Sequence, residues 1–253
     1  MATFSTGMRG GWANRAGDAS SATTHAPYAT VSGGLYNAAS DDYSAVGGGS
    51  NNSASSYAAV VGGGYLNKAA GDSSRIGGGS YNNATSLGAT VAGGRQNDAN
   101  ASDATIGGGS YNTVTATWGT ISGGYSNTIS GTYGVIGGGN RNVVTGTYGT
   151  VGGGYSNVAS GTYSTVPGGY YNTASGNYSF AAGYHAETPY QGSFFWGDST
   201  NGSGTITNTA TNQFPVRAPA SWRNGTSRWR NRTPLRRKKS TAWRRGWLPS
   251  SGR

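Results

Sequence analysis

Two histidines, eight acidic side chains and no cysteine leave this 253-residue chain few means for acid–base or thiolate chemistry. His185 and Glu187 stand two positions apart and invite an acid–base reading. No third group is in place to orient them, so they read as surface residues of a terminal cap. Asp41, Asp72, Asp98 and Asp103 fall out of column, whereas a calcium-binding roll needs an aspartate in every turn. The glycine triplets lack the lysine and helix of a phosphate loop. No catalytic residue, metal or cofactor is expected. The polar side chain that recurs with strict spacing is an amide: Asn37, Asn52, Asn67, Asn82, Asn97, Asn112, Asn127, Asn142, Asn157 and Asn172, every fifteen residues. Amides are poor metal ligands, and ten copies point to architecture. Stacked asparagines bond turn carbonyls and one another, as amide ladders do in cross-β stacks.

Aromatic rings offer the second regular chemistry. Trp118, Tyr133, Tyr148, Tyr163 and Tyr178 form one outward column at the same spacing, with Tyr43 and Tyr28 at its far end. Tyr65, Tyr125, Tyr155 and Tyr170 form another beside a glycine pair. Rungs about 4.8 Å apart let rings stack on each other. Such a face either shields the sheet or serves sugars and protein loops as a contact surface. The neighbouring column Thr117, Thr132, Thr147 and Thr162 resembles an ice-binding row, but large tyrosines between the threonines spoil its flatness.

The element that positions these columns follows from the same fifteen-residue period. Val31, Val46, Val61, Ile76, Val91, Ile106, Ile121, Ile136, Val151 and Val166 are always β-branched, and the two glycines Gly33-Gly34 recur through Gly168-Gly169. Two residues after each asparagine the chain is always apolar, from Ala39 to Ala174, while the residue between accepts Lys68 or Asp98. This alternation is that of a strand with one face inward. A second strand runs from a small residue, as at Ser44, Ala59 or Gly134, to the β-branched column. Each coil is thus two short strands, joined by the glycine pair on one side and a turn such as Ser160-Gly161 on the other. The fold class is all-β, a parallel β-solenoid or β-roll with 15-residue coils. With 47 glycines and five phenylalanines, a narrow interior of small residues is the only core this composition can fill.

On these residues the chain resembles the head domains of trimeric autotransporter adhesins, the YadA-like heads, whose repeats pair a branched-apolar-plus-glycine segment with an A-S-G or A-T-G segment. The likeness covers about Tyr28 to Thr200. It implies a left-handed parallel β-roll, a homotrimer, and exposure on a bacterial surface to hold host matrix, other cells or an abiotic surface.

The expected organisation is an irregular N-terminal segment or cap at 1–27, in which Trp12 closes one end, a repeat head at 28–183, a C-terminal cap at 184–216 and a basic tail at 217–253. The cap gathers Phe180, Tyr184, Tyr190, Phe194, Phe195 and Trp196 where the repeat decays, because an open solenoid end is an unpaired edge. The tail carries all the excess positive charge and no acid, with Trp222, Trp229, Trp243 and Trp247 among its Arg and Lys. It reads as a shifted reading frame, ahead of a solvated tail or one that binds nucleic acid or an anionic envelope. No run is long enough to cross a membrane as a helix, and residues 1–20 show no signal-peptide core. The function expected is a non-enzymatic surface adhesin or fibre head binding a protein or glycan through a repetitive side face. The chain would sit outside the cell, on the bacterial surface or on a phage particle. A phage tail-fibre or filament segment is the alternative, ahead of a polysaccharide-cleaving tailspike.

Overall fold

The computed structural model of the chain describes residues 7–8, 11–17, 26–197, 206–207 and 209–214. The basic tail at 217–253 lies outside the described residues, as do parts of both expected caps. The chain is an all-β parallel solenoid of about 11 turns with coils of about 15 residues. Among the described residues no helix is long and apolar enough to cross a membrane.

Each regular coil contributes one two-residue strand to each of two parallel sheets, which among the described residues have fourteen and thirteen strands. Register is residue on equivalent residue: Thr90 on Thr105 and Val91 on Ile106 in one sheet, Asp98 on Thr113 and Ala99 on Val114 in the other. The first residue of these strands faces out and the second is buried, for example Arg75 and Ile76 or Lys68 and Ala69. A third parallel line, absent from the sequence reading, runs through single-residue bridges from Trp12 and Leu35 to Tyr155 and Tyr170. Its N–H groups also point to the next coil, as from Arg95 to the Gly109 carbonyl at 2.9 Å.

Corners between these lines use the left-handed conformation at two positions per coil beyond the glycine pair, which apart from Gly88 and Gly192 are held by residues other than glycine. One column includes Tyr81, Tyr111, Ser126 and Arg141, and the other includes Trp118, Tyr133, Tyr148 and Tyr163, all with φ between 51° and 64°. A bulky residue there is disfavoured by contact of Cβ with its own carbonyl. The conformation turns the N–H toward the preceding coil: Tyr133 donates to Thr117 O at 3.2 Å and Tyr148 to Thr132 O at 2.9 Å. Backbone bonds to the coil on either side offset the local cost. The turn expected at Ser160-Gly161 is present over Gly161–Tyr163, with the positive φ on Tyr163.

The interior is filled by exchange of volume within each coil. Where the column after the asparagine is alanine, the facing position is alanine or serine, as at Ala54 with Ala59, Ala99 with Ala104, Ala69 with Ser74 and Ala159 with Ser164. Where it becomes Val114, Ile129 or Val144, the facing residue is Gly119, Gly134 or Gly149. A Cβ on Gly149 would lie 2.8 Å from Val144 Cγ1, and one on Gly134 2.8 Å from Ile129 Cγ2. Close packing makes such overlap costly. We therefore expect Gly149→Ala to destabilise by about 1–3 kcal/mol in the native background and by clearly less when combined with Val144→Ala. A urea-unfolding double-mutant cycle checks this, and additive changes would contradict it.

The stack extends past the regular repeat at both ends. Phe180 pairs with Phe194 and Ala181 with Phe195, a coil of fourteen residues, and Ala186 pairs with Ile206. Among the described residues Phe195 is the largest fully buried side chain, in line with Val166 and Ala181, and it fills the interior that β-branched residues fill below. Phe180, Phe194 and Phe214 stack outside it with centroids 4.6 and 4.3 Å apart. At the other end Gly7–Met8 pairs with Thr30–Val31 and Arg15–Ala16 with Ala38–Ala39. Trp12, expected to close that end, is exposed and meets Tyr36 edge-on.

Candidate functional site

The asparagine column lies inside the corner formed by the glycine pair. All ten side chains are at most 1% exposed. Asn112 shows the pattern. Its Nδ2 donates to Gly108 O within its own coil and to Gly124 O of the next, both at 3.0 Å. Its Oδ1 accepts the backbone N–H of Asn127 at 3.0 Å and Asn127 Nδ2 at 3.1 Å. Every amide thereby fixes its own corner and the next, which leaves no capacity for a substrate or an ion.

The column is longer than its strict period. Asn14 Oδ1 accepts the Asn37 N–H at 3.0 Å, and Asn14 Nδ2 donates to Gly34 O at 2.9 Å. Its spacing of 23 from Asn37 hides it. The signal that finds it is local, Gly10-Gly11-Trp12-Ala13-Asn14 matching Gly33-Gly34-Leu35-Tyr36-Asn37. At the upper end Ala186 donates its N–H to Asn172 Oδ1 at 2.9 Å, so the bond survives without an amide.

The two glycines of the pair have different work. Gly124 has φ +95°, and a Cβ there would collide with the Gly139 carbonyl and lie 2.7 Å from Asn127 Nδ2. At Gly123 a Cβ would meet nothing within 4 Å, and the same holds at Gly78, Gly93 and Gly153. The carbonyl of this first glycine accepts the asparagine amide, as Gly123 O does from Asn127 at 3.1 Å, a role that any residue's backbone could fill.

The aromatic columns stand outside. Trp118 and Tyr133 are stacked at 4.7 Å, Tyr133 and Tyr148 at 4.8 Å, Tyr148 and Tyr163 at 4.7 Å, and Tyr163 and Tyr178 at 5.2 Å, with planes within 12° of parallel. Parallel ring planes one coil apart mean that interior rungs cover one another's faces and present edges and hydroxyls to solvent. Exposure follows, rising from 39% at Tyr133 to 61% at Tyr178, the last rung. The second column ends in a cluster: Tyr155 stacks on Tyr170 at 5.2 Å, Tyr170 on Tyr184 at 5.4 Å, and Tyr171 on His185 at 5.2 Å. Arg141 Nη1 donates to the Tyr155 hydroxyl at 3.1 Å. Loss of hydration against these rings raises the Tyr170 phenol above its ordinary pKa, with the charges of Tyr171, Tyr155 and Tyr184 adding to the rise.

His185 and Glu187 each engage other groups. His185 holds a left-handed corner, its N–H on Tyr170 O at 2.9 Å, and Glu187 Oε2 accepts the Thr207 hydroxyl at 3.1 Å. Among the described residues no group of three His, Asp or Glu side chains is placed to hold a metal ion. A scan against protein-family models and a search of curated proteins each return no match for this chain.

Proposed function

We propose that this solenoid is a non-enzymatic adhesin or fibre head, displayed outside the cell or on a phage particle, which recognises protein or glycan surfaces through its repeated side face. The observation that carries the reading is the aromatic column. Five rings are held at fixed height on a scaffold whose interior is spent on its own hydrogen bonds, so the variable chemistry lies on the outside. Repeated weak contacts on a rigid rack gain strength by multivalency.

Assembly as a homotrimer belongs to the same proposal. Its support is the first glycine of the pair at Gly78, Gly93, Gly123 and Gly153, where a Cβ would touch nothing within its own chain and no positive φ calls for glycine, whereas Gly48, Gly108, Gly138 and Gly168 hold φ of +154° to +157°. A position kept bare without an internal reason is one that a neighbouring backbone approaches closely. The phage tail-fibre or filament alternative shares this scaffold and differs in forming end-to-end assemblies.

Light scattering on the full chain tests the assembly, with a mass near three times 25.6 kDa expected. A single-chain mass at every concentration overturns the trimer. Beads coated with the chain should be retained on glycoprotein or bacterial-cell surfaces, and less so after Tyr133, Tyr148 and Tyr163 are replaced by serine. Retention equal to that of uncoated beads overturns recognition. End-to-end filaments in micrographs would favour the fibre alternative.

A further inference from the structure

The stacked ladder limits where a sugar can bind. A pyranose is held by an aromatic side chain through the ring face, and within the column each face is already taken by its neighbour at 4.7 to 5.2 Å. Two faces of this five-ring stack remain: the upper face of Tyr178, whose next rung is Gly192, and the underside of Trp118, whose next rung is Asp103. The described ring contacts of Trp118 are on the Tyr133 side, and 49% of the residue is exposed.

Beneath Trp118 the wall of rings stops. The next positions down the column are Asp103, Gly88, Ser73 and Ala58 before Tyr43 is reached. Asp103 is exposed and short, and its carboxylate leans down onto Gly88, where a Cβ would collide with Oδ1. The opening between the indole and the Gly88 rung is two coils high, about 10 Å, and is walled by backbone that is firmly tied. Trp118 N–H meets Ser102 O at 3.1 Å, and Asp103 N–H meets Leu87 O at 2.8 Å. A six-membered ring seated there continues the stack in place of the missing tyrosine, with the Asp103 carboxylate on the Gly88 floor beneath it.

We infer that the slot under Trp118 is a subsite for a β-galactopyranoside, stacked by its apolar face on the indole and hydrogen-bonded through vicinal hydroxyls to Asp103. Galactose fits because its axial 4-hydroxyl leaves H3, H4 and H5 together on one face, which the electron-rich indole attracts. The carboxylate, an acceptor with two oxygens, takes two neighbouring hydroxyls at once. Tyr178 lacks a carboxylate in the equivalent place, since its next rung is glycine, and it serves as the internal control. The inference rests on the recognition reading above and gives that reading a ligand class.

Saturation-transfer NMR with methyl β-D-galactopyranoside on the full chain tests it. Transfer should be strongest at H3, H4 and H5, be lost in Trp118→Ala, persist in Tyr178→Ala, and require several-fold more ligand in Asp103→Asn. Circular dichroism unchanged from the native chain shows that each variant keeps its fold, as expected for exposed corner residues. Transfer that survives Trp118→Ala, or falls equally in Tyr178→Ala, overturns the subsite. So does Trp118-dependent transfer to tetramethylammonium but not to the galactoside, which would mark a cation site. Bead retention that persists in Trp118→Ala while no galactoside binds leaves surface recognition standing and removes the slot. Galactoside binding without bead retention does the reverse.

Discussion

Alanine at Gly124 should disrupt the stack, while alanine at the adjacent Gly123 should leave its stability unchanged. Both columns are glycine in every repeat, so repetition alone assigns them equal weight. The geometry separates them. Gly124 sits at φ +95°, and a Cβ there would overlap the Gly139 carbonyl while crowding Gly139 N at 2.8 Å and Asn127 Nδ2 at 2.7 Å. Neither neighbour can retreat, because Gly139 O accepts both Tyr125 N–H at 2.9 Å and Asn127 Nδ2 at 3.0 Å. Left-handed strain and backbone overlap together should cost about 3–5 kcal/mol. Gly123 meets nothing within 4 Å, so its replacement should stay within about 0.5 kcal/mol. Urea midpoints by far-UV circular dichroism decide the matter, and equal losses at both sites would show that the corner geometry is wrong. Gly123→Ala carries a second readout. If copies of the chain meet on this column, the substitution leaves the midpoint of the isolated chain alone and lowers the mass seen by light scattering.

That contrast also marks how far the sequence could be read. The period, the in-and-out alternation and the buried amide column follow from which positions vary and which do not, since each coil is a separate trial of the same geometry. Lys68 and Asp98 stand where the strand faces water, and Ala69 and Ala99 where it does not. What a column cannot reveal is why it is constant. Gly124 and Gly123 look alike in sequence and differ in φ and in what a Cβ would strike. Conformation borne by unlike residues is hidden for the same reason: the left-handed corner holds Tyr81, Gln96, Ser126 and Arg141, four residues with no shared chemistry. The third line of bridges passes through Ser80, Arg95 and Tyr125 and was invisible on the same grounds. Asn14 escaped because a longer connection precedes Asn37, although its contacts are those of the column. The aromatic column was legible as an exposed row, but not its consequence. Spacing gives the height of the rungs, whereas the tilt of the rings decides that faces are consumed and only the ends are open.

The largest loss from a polar substitution is expected at the centre of the amide column. Asn112→Ala deprives the Asn127 N–H of its acceptor and Gly108 O of its donor, while Gly124 O keeps the Ser110 N–H at 2.9 Å. A buried N–H and a part-buried carbonyl without partners, at about 1–3 kcal/mol each, put the cost at about 2–6 kcal/mol before any cavity is counted. In a solenoid the injury need not spread, because each coil contacts its neighbours alone. A urea curve that splits into two steps would reflect separate melting on either side of coil 112. A curve shifted as one step would show that cooperativity spans it. Asn112→Asp has the same shape with the donor removed, and its carboxylate faces the carbonyls of Gly108 and Gly124 that the amide had bonded. Burial and those dipoles disfavour the charged form, so the folded-state pKa of this carboxyl lies above its unfolded value of about 3.9. The folded chain then binds the proton more tightly than the unfolded one. The deficit relative to the native chain is therefore least below the unfolded pKa and grows as pH rises toward the folded one. Midpoints for Asn112→Asp that approach the native values on acidification, with Asn112→Ala showing no such recovery, would establish that the column holds the coils together by donation into the glycine corner. Parallel pH profiles for the two variants would mean that the amide's shape, and not its hydrogens, is what the stack requires.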